Sequence, residues 1–172
     1  TCTLTTRLKD HAKMSAQAAF RTKVLFDTNQ LLQKAKSEEE IFSLTASQLM
    51  KLLNRSLIVY LEQNGGLGAE QVFGVDGETA QNIFSAPEER DAANWTFANK
   101  KRSGAGTDSY PDAKGLYLAL RTGGGVFGVI GIDLSEKPLD AFENSVLLSI
   151  LGEGALAIEN RRNALEKEQA TV

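Results

Sequence analysis

The sequence has little of the chemistry on which most enzyme and metal sites depend. Its 172 residues include one histidine, His11, and one cysteine, Cys2, at the extreme terminus. A nucleophilic triad needs a base beside its nucleophile. A disulfide framework or a cysteine metal cluster needs several cysteines. We therefore expect no catalytic residues and no metal site in this chain, and a reducing, intracellular compartment.

Long hydrophobic runs and an excess of basic residues are also missing. No uninterrupted run of about 18 apolar residues occurs, and the formal net charge is -3. We predict that the chain itself is soluble, does not span a membrane and does not bind nucleic acid. Because no methionine begins it, we interpret the sequence as a piece of a longer protein.

From Leu4 to Lys36 the sequence contains neither glycine nor proline. Its Ala, Leu, Lys and Gln content predicts one long helix. Seven Lys and Arg residues against two Asp residues give this segment a net charge of +5. Such a balance fits a segment just inside a cytoplasmic membrane, and it fits an ordinary solvated helix face equally well.

The rest of the chain predicts an α+β domain with an antiparallel sheet, because the strands are joined as hairpins. Capping-box spacing marks three helix starts, at Ser37 with Glu40, at Ser85 with Glu88, and at Asp140 with Glu143. The predicted order after the first helix is a helix 37–54, strands 56–62 and 71–76, a helix 85–101, a loop 102–115, strands 116–121 and 126–134, and a last long helix.

The loop sequence GAGTD is the one candidate for anion binding through backbone N–H groups. It contains Gly104, Gly106, Thr107 and Asp108, but it lacks the third glycine of a dinucleotide-binding motif and the GK[ST] of a phosphate loop. The alternative is structural. In that interpretation Gly104 ends the preceding helix and Gly106 supplies a backbone conformation that other residues disfavour.

The stretch from Trp95 to Leu120, WTFANKKRSGAGTDSYPDAKGLYLAL, resembles the KdpD family of bacterial potassium-sensor histidine kinases. In that family a helix with Trp and Phe precedes an AGxGTDTLP-like loop and a YLPL-like strand. The segment Leu4 to Ala35 is similar to the family segment that leaves the last membrane helix, with Arg21, Thr22 and Leu25 in its RTxxLY-like run. Departures from the pattern occur at Ser103, Ser109, Tyr110 and Ala119.

The resemblance implies a GAF fold whose long first and last helices pack together. It divides the chain into a membrane-proximal signalling helix (1–36), a GAF sensory core (37–158) and the start of a linker helix toward the kinase core (159–172). It implies a cytoplasmic transmitter that relays a potassium or osmotic signal without a cofactor. The implied partners are a second copy bound through the first and last helices, the membrane helices and kinase core of an ATP-dependent histidine kinase, and a response regulator.

The alternative function is a receptor for a small molecule or ion, its identity unknown, with a pocket between the sheet and the helix and loop of residues 86–115. The candidate ligand residues are Trp95, Gly104, Gly106, Thr107, Asp108 and Tyr117. Enzymes of the GAF fold that use reactive cysteines, and bilin photoreceptors with an attachment cysteine, are excluded because Cys2 alone cannot serve.

Overall fold

A computed structural model describes the backbone of residues 2–170 and the side chains of residues 5–169. Thr1, the Cys2 side chain and the last two residues of the expected linker lie outside the described residues. The elements, in chain order, are α1 (Cys2–Gln33), α2 (Glu38–Leu53), β1 (Leu57–Gln63), β2 (Gly66–Phe73), α3 (Gly77–Phe84), α4 (Pro87–Asn99), β3 (Ser103–Gly104), β4 (Gly115–Thr122), β5 (Gly125–Asp133) and α5 (Ala141–Ala170).

The strands form one antiparallel sheet in the order β2-β1-β5-β4-β3, which confirms the predicted α+β class. Alternate residues of a strand face opposite sides of a sheet, and β1 shows this directly. Leu57 and Val59 belong to a hydrophobic cluster with residues of α1, α2 and α5. Ile58 and Tyr60 belong to a second cluster with residues of α3 and α4. The sheet therefore separates a face covered by three helices from a face covered by two.

Of the three predicted capping boxes, the one at Asp140 forms in full, and the one at Ser37 forms with its second bond shifted to the preceding residue. The Ser37 hydroxyl accepts a hydrogen bond from the Glu40 N–H at 3.1 Å, and the Glu40 carboxylate accepts one from the Lys36 N–H at 2.9 Å. At the start of α5 the bonds between Asp140 and Glu143 are reciprocal, at 2.7 and 3.2 Å. These bonds satisfy N–H groups that a helix start otherwise leaves without partners.

The third capping box is wrong, because the prediction missed α3. Ser85 follows α3 directly and its hydroxyl donates to the Asn82 carbonyl. α4 begins at Pro87 behind Ala86, which makes no side-chain cap. α4 also ends earlier than expected, because Lys100 adopts the left-handed conformation that was assigned to Gly104.

The strand β2 begins five residues before its predicted start. Asn64 and Gly65 have φ values of 53° and 81°, which is the pattern of a two-residue hairpin turn. Gln63 therefore pairs with Gly66 at once, and the strand ends at Phe73. The residues assigned to the end of this strand instead form the connection to α3.

The helices α1 and α5 run parallel and in register. Arg21 donates to Ser145 at 2.6 Å and Asn29 donates to Glu153 at 3.1 Å, and both pairs are 124 residues apart. Just beyond α1, Glu38 and Arg162 form an ion pair at the same separation. The chain therefore enters at one end of this helix pair and leaves at the other.

Each helix also extends past its partner. The side chains of residues 5–16, in the first half of α1, are all exposed, and so are those of residues 163–169 in α5. Within the described residues, α5 is the one helix whose length and composition would allow it to cross a membrane. Its inner face, which includes Leu147, Ile150 and Ile158, is buried in the domain core. Core packing accounts for the apolar residues of this inner face.

Candidate functional site

The space between α4 and the sheet is occupied by a polar network around Glu89. This carboxylate is only 2% exposed. One of its oxygens accepts hydrogen bonds from the Gly115 N–H at 2.9 Å and the Tyr117 hydroxyl at 2.8 Å, and the other accepts from the Lys114 N–H at 2.9 Å. A buried carboxylate is tolerated when donors surround it in this way. Glu89 therefore ties α4 to the start of β4.

A second pair of buried hydroxyls lies further along α4. Ser103 donates to the Ala92 carbonyl at 2.7 Å, and its hydroxyl lies 2.7 Å from that of Thr96. Both side chains are fully buried. This contact holds the short strand β3 against α4 and fills the interior that an enclosed ligand would need.

Several backbone N–H groups of the GAGTD loop donate hydrogen bonds within the loop or to the neighbouring strand. The N–H groups of Gly104, Ala105 and Thr107 donate to carbonyls of Ser109, Gly115 and Gly104, respectively. Gly104 has a φ of 93°, and a side chain there would strike the Gly115 carbonyl. The positive φ and the lack of space for a side chain account for the glycine at this position without a ligand.

The six candidate ligand residues do not converge on one cavity. Tyr117 is buried with its hydroxyl bound to Glu89, and Trp95 is half-buried on α4. Gly104 is buried, Thr107 is half-buried with its hydroxyl 2.8 Å from the Gly104 carbonyl, and Gly106 and Asp108 are exposed. Their ligand-binding role stays a prediction.

A cavity of about 430 Å³ lies on the same face of the sheet, beside the beginning of α4. We call it the Tyr60 cavity; it is open to solvent and bordered by β1, β2, α3 and the start of α4. Its lining residues are Ile58, Tyr60, Glu70, Val72, Gln81, Phe84, Ser85, Ala86, Pro87 and Arg90. None of the six candidate residues is among them.

Tyr60 and Arg90 supply the polar chemistry of this cavity. Tyr60 is 1% exposed and lines the cavity, and no buried side-chain nitrogen or oxygen atom among the described residues lacks a hydrogen-bond partner. The Arg90 guanidinium lies 4.8 Å from the centre of the Tyr60 ring, and it donates to the carbonyls of Leu67 and Gly68. This arrangement can accept a small, partly apolar molecule that bonds to a neutral phenol.

Burial raises the pKa of Tyr60 to about 12, against the opposing effect of the nearby Arg90. Burial, reinforced by the negative charge of Glu89, also raises the pKa of Tyr117 above its usual range. Both phenols therefore stay neutral throughout the physiological range. Among residues 5–169, no group of three or more His, Cys, Asp or Glu side chains is arranged to hold a metal ion.

Known proteins share this architecture. No family model matches the sequence. Over 167 residues the chain is 32% identical to the "Sensor protein KdpD" of Clostridium acetobutylicum, a match that covers 96% of this chain and 18% of that protein. The crystal structure of the GAF domain of the potassium sensor histidine kinase KdpD from Escherichia coli matches with a TM-score of 0.64 and 18% identity, over 85% of this chain and 98% of that one. The chain is a KdpD-like GAF domain.

Another solved structure agrees with the fold. The GAF domain of a putative sensor histidine kinase from Pseudomonas syringae pv. tomato has a TM-score of 0.63 and 19% identity, over 94% of this chain and 99% of that one. These identities are low, so the structural matches establish the GAF fold alone. The KdpD-like GAF domain spans 18% of the length of the curated KdpD relative.

Sequence reasoning missed the polar residues that organise this face of the KdpD-like GAF domain. Glu89 had a detectable signal, since it shares the buried stripe of α4 with Ala92, Ala93 and Thr96 at helical spacing. Tyr60 lies two residues after Ile58 and so faces the same side of the sheet. The cavity beside Tyr60 depends on α3, and no pattern predicted that helix.

We predict that the domain loses stability at alkaline pH. The raised pKa values mean that the folded state holds protons that the unfolded chain releases near pH 10, so the free energy of unfolding should fall as pH rises above about 10. The slope should approach about 1.4 kcal/mol per pH unit for each buried tyrosine. Urea unfolding measured at several pH values checks this.

Tyr60→Phe should reduce the alkaline slope to about half, because it removes one of the two titrating phenols. Tyr110→Phe is the matched control, because Tyr110 is an exposed tyrosine. An unchanged slope in Tyr60→Phe would contradict the prediction.

Proposed function

We propose that this KdpD-like GAF domain is the transmitter segment of a sensor histidine kinase. It relays a potassium or osmotic signal from membrane helices, on the cytoplasmic side of the inner membrane, to a kinase core that phosphorylates a response regulator. The segment has no catalytic role of its own, and the ATP-dependent phosphotransfer belongs to the kinase core. The similarity to KdpD sensor proteins supports this assignment.

The observation that carries the proposal is the in-register packing of α1 and α5. Contacts at a constant separation of 124 residues join the two helices along their shared length. Because the helices are parallel, a shift or rotation of α1 at one end of the domain is passed to α5, which leaves at the other end. The expected division into a signalling helix (1–36), a sensory core (37–158) and a linker (159–172) follows this path.

A second copy of the chain is the proposed partner of the helical face. Phe26 on α1 and Leu148 and Leu156 on α5 are large apolar residues that are 63%, 46% and 49% exposed. Gly152 lies between the two leucines on α5, and nothing stands within 4 Å of the place its Cβ would occupy. Gly154, in contrast, is required within the chain, since a Cβ there would meet the Thr45 hydroxyl at 2.7 Å. Contacts within the single chain do not explain a glycine at position 152. Close approach of a second α5 would explain it, because glycine leaves room for the partner helix.

We predict that the relay depends on helical phase. One alanine inserted after Ala12, in the exposed part of α1, rotates the preceding chain by about 100° relative to the domain, whereas seven alanines make about two full turns. In the full-length sensor, the single insertion should abolish the response of autophosphorylation to potassium, and the seven-residue insertion should restore it. Autophosphorylation in membrane vesicles at low and high potassium is the measurement. An equal response in both variants would exclude a rigid helical relay.

We predict that the chain self-associates through α1 and α5. Leu148→Glu and Leu156→Glu should each raise the dimer dissociation constant at least about tenfold, because each would place a charge in an apolar contact. Sedimentation equilibrium measures this constant. Val75→Glu is the matched control, since Val75 is 55% exposed and belongs to neither α1 nor α5. A wild-type chain that stayed monomeric at high concentration would refute the proposed dimer.

A receptor function is the second candidate, and the Tyr60 cavity is the observation that favours it. A ligand in the Tyr60 cavity would meet the Tyr60 hydroxyl and the Arg90 guanidinium beside apolar lining residues such as Ile58 and Phe84. This cavity differs from the pocket first expected beside Trp95 and the GAGTD loop, but it lies on the same side of the sheet. Arg90 and Glu70 stand at its polar side.

We predict that a ligand of this cavity is detectable by thermal unfolding. At about 100 times its dissociation constant, a ligand should stabilise the domain by about 2.7 kcal/mol and raise the midpoint by roughly 5–10 °C. Potassium, sodium, nucleotides and cyclic dinucleotides, compared at matched ionic strength, are the panel. The shift should disappear in Tyr60→Phe and persist in Tyr110→Phe. A shift that survives in Tyr60→Phe would place the ligand elsewhere, and no shift with any compound would favour a ligand-free transmitter.

A further inference from the structure

One buried arginine connects the end of α2 to the beginning of α5. Arg55 follows Asn54, the residue that ends α2, and its side chain is 6% exposed. The guanidinium donates to the Glu143 carboxylate at 3.0 Å and to the backbone carbonyls of Asp133, Lys137 and Pro138 at 3.0, 2.7 and 3.0 Å. We call Arg55 and these four acceptor residues the Arg55 junction.

The Arg55 junction holds the first turn of α5 directly. The Glu143 carboxylate that pairs with Arg55 also accepts a hydrogen bond from the Asp140 N–H, and Asp140 in turn accepts one from the Glu143 N–H. The capping box of α5 and the ion pair therefore share one side chain. A change in the position of Arg55 alters the bonds that begin the helix.

The neighbouring residue, Ser56, connects the same point to α3. Its hydroxyl accepts a hydrogen bond from the Val75 N–H at 3.1 Å, just before α3 begins. Its carbonyl accepts one from the Asp133 N–H at 3.0 Å. Two consecutive residues thus contact the start of α3, the end of β5 and the first turn of α5.

The helix α3 lies between two cavities. A space of about 470 Å³ separates part of it from the Arg55 junction, and its walls include Arg55, Val75, Thr79 and Ile83. On its other side, Gln81 and Phe84 line the Tyr60 cavity. The inner residues Ala80, Ile83 and Phe84 of α3 are buried. Open clefts on both sides nevertheless leave this eight-residue helix with fewer packing partners than a helix in a filled core, and such elements are the ones that shift.

We propose that α3 is a movable element whose position controls the first turn of α5 through the Arg55 junction, by a route that does not pass through α1. The inference rests on the proposed relay, in which α5 is the output helix. A displacement of α3 moves Val75 and Ser56, and it changes the guanidinium geometry one residue away. Only the planar fork of arginine satisfies a carboxylate and three carbonyls at once. Arg55 is a positioning residue in this route.

The test displaces α3 and measures the first turn of α5. A methyl group added at Gly74 would stand 2.9 Å from the Ala80 Cβ in α3, whereas nothing lies within 4 Å of one added at Gly77. Gly74→Ala should accelerate hydrogen exchange at the Glu143 and Asn144 amides, which bond to Asp140, by about tenfold. Gly77→Ala should leave these rates unchanged.

The same pair of variants in an Arg55→Lys background separates coupling from simple destabilisation. There Gly74→Ala should add no further acceleration, because the connection is already broken. Phe20→Ala, which removes a ring packed on Phe142 from the α1 side, should still accelerate exchange in both backgrounds. Glu143→Gln replaces Arg55→Lys if the lysine variant does not fold.

The inference would be overturned if Gly74→Ala accelerated amide exchange equally in the wild-type and Arg55→Lys backgrounds, or if it had no effect on exchange in either. The outcome is separable from that of the helical relay. If the alanine insertions change signalling in the full-length sensor but Gly74→Ala shows no dependence on Arg55, only the proposed α3 route is wrong. If Gly74→Ala depends on Arg55 but the insertions have no phase effect, the helical relay is wrong and the Arg55 junction remains as a structural connection in the fold.

Discussion

The in-register contact between α1 and α5 is the constraint on which the geometry of the domain depends. These two helices, with α2, bury one face of the sheet, and the polar pairs Arg21 with Ser145 and Asn29 with Glu153 fix their relative height. Because the two helices are parallel, the chain between them must run back to the level at which α1 entered, and here α2, the sheet and its connections make this return. The remaining strands and helices are in this sense an insertion that returns the chain to the end at which it entered.

The opposite face of the sheet shows why a GAF fold need not hold an enclosed ligand beside α4. The carboxylate of Glu89 and the hydroxyls of Ser103 and Thr96 occupy that interior, and each has partners within the chain. The space left over lies beside α3, where the short helix does not fill the corner between β1 and β2. The open volume described on this face therefore lies beside α3 and not beside the glycine-rich loop.

The sequence predicted most of the fold because its signals were local. Capping pairs, a glycine-free helix and turn glycines each specify the structure of a few adjacent residues. The errors occurred where tertiary contacts decide. The helix α3 begins with Gly77 and has only eight residues, too few for a clear apolar period. The partners of Arg55 and Glu89 lie far away in the chain, so their burial could not be recognised from the neighbouring residues.

Arg55 and Phe142 show how the two faces of the sheet can act on one helix. Phe142, in the first turn of α5, packs on Phe20 of α1, and the next residue, Glu143, binds Arg55 on the side connected to α3. A movement of α1 and a movement of α3 therefore reach adjacent residues of the same helical turn. That turn has one set of capping bonds, which are either formed or broken. Movements of α1 and α3 therefore act on the same equilibrium between the capped and uncapped turn, and a change in one alters the free-energy effect of the other.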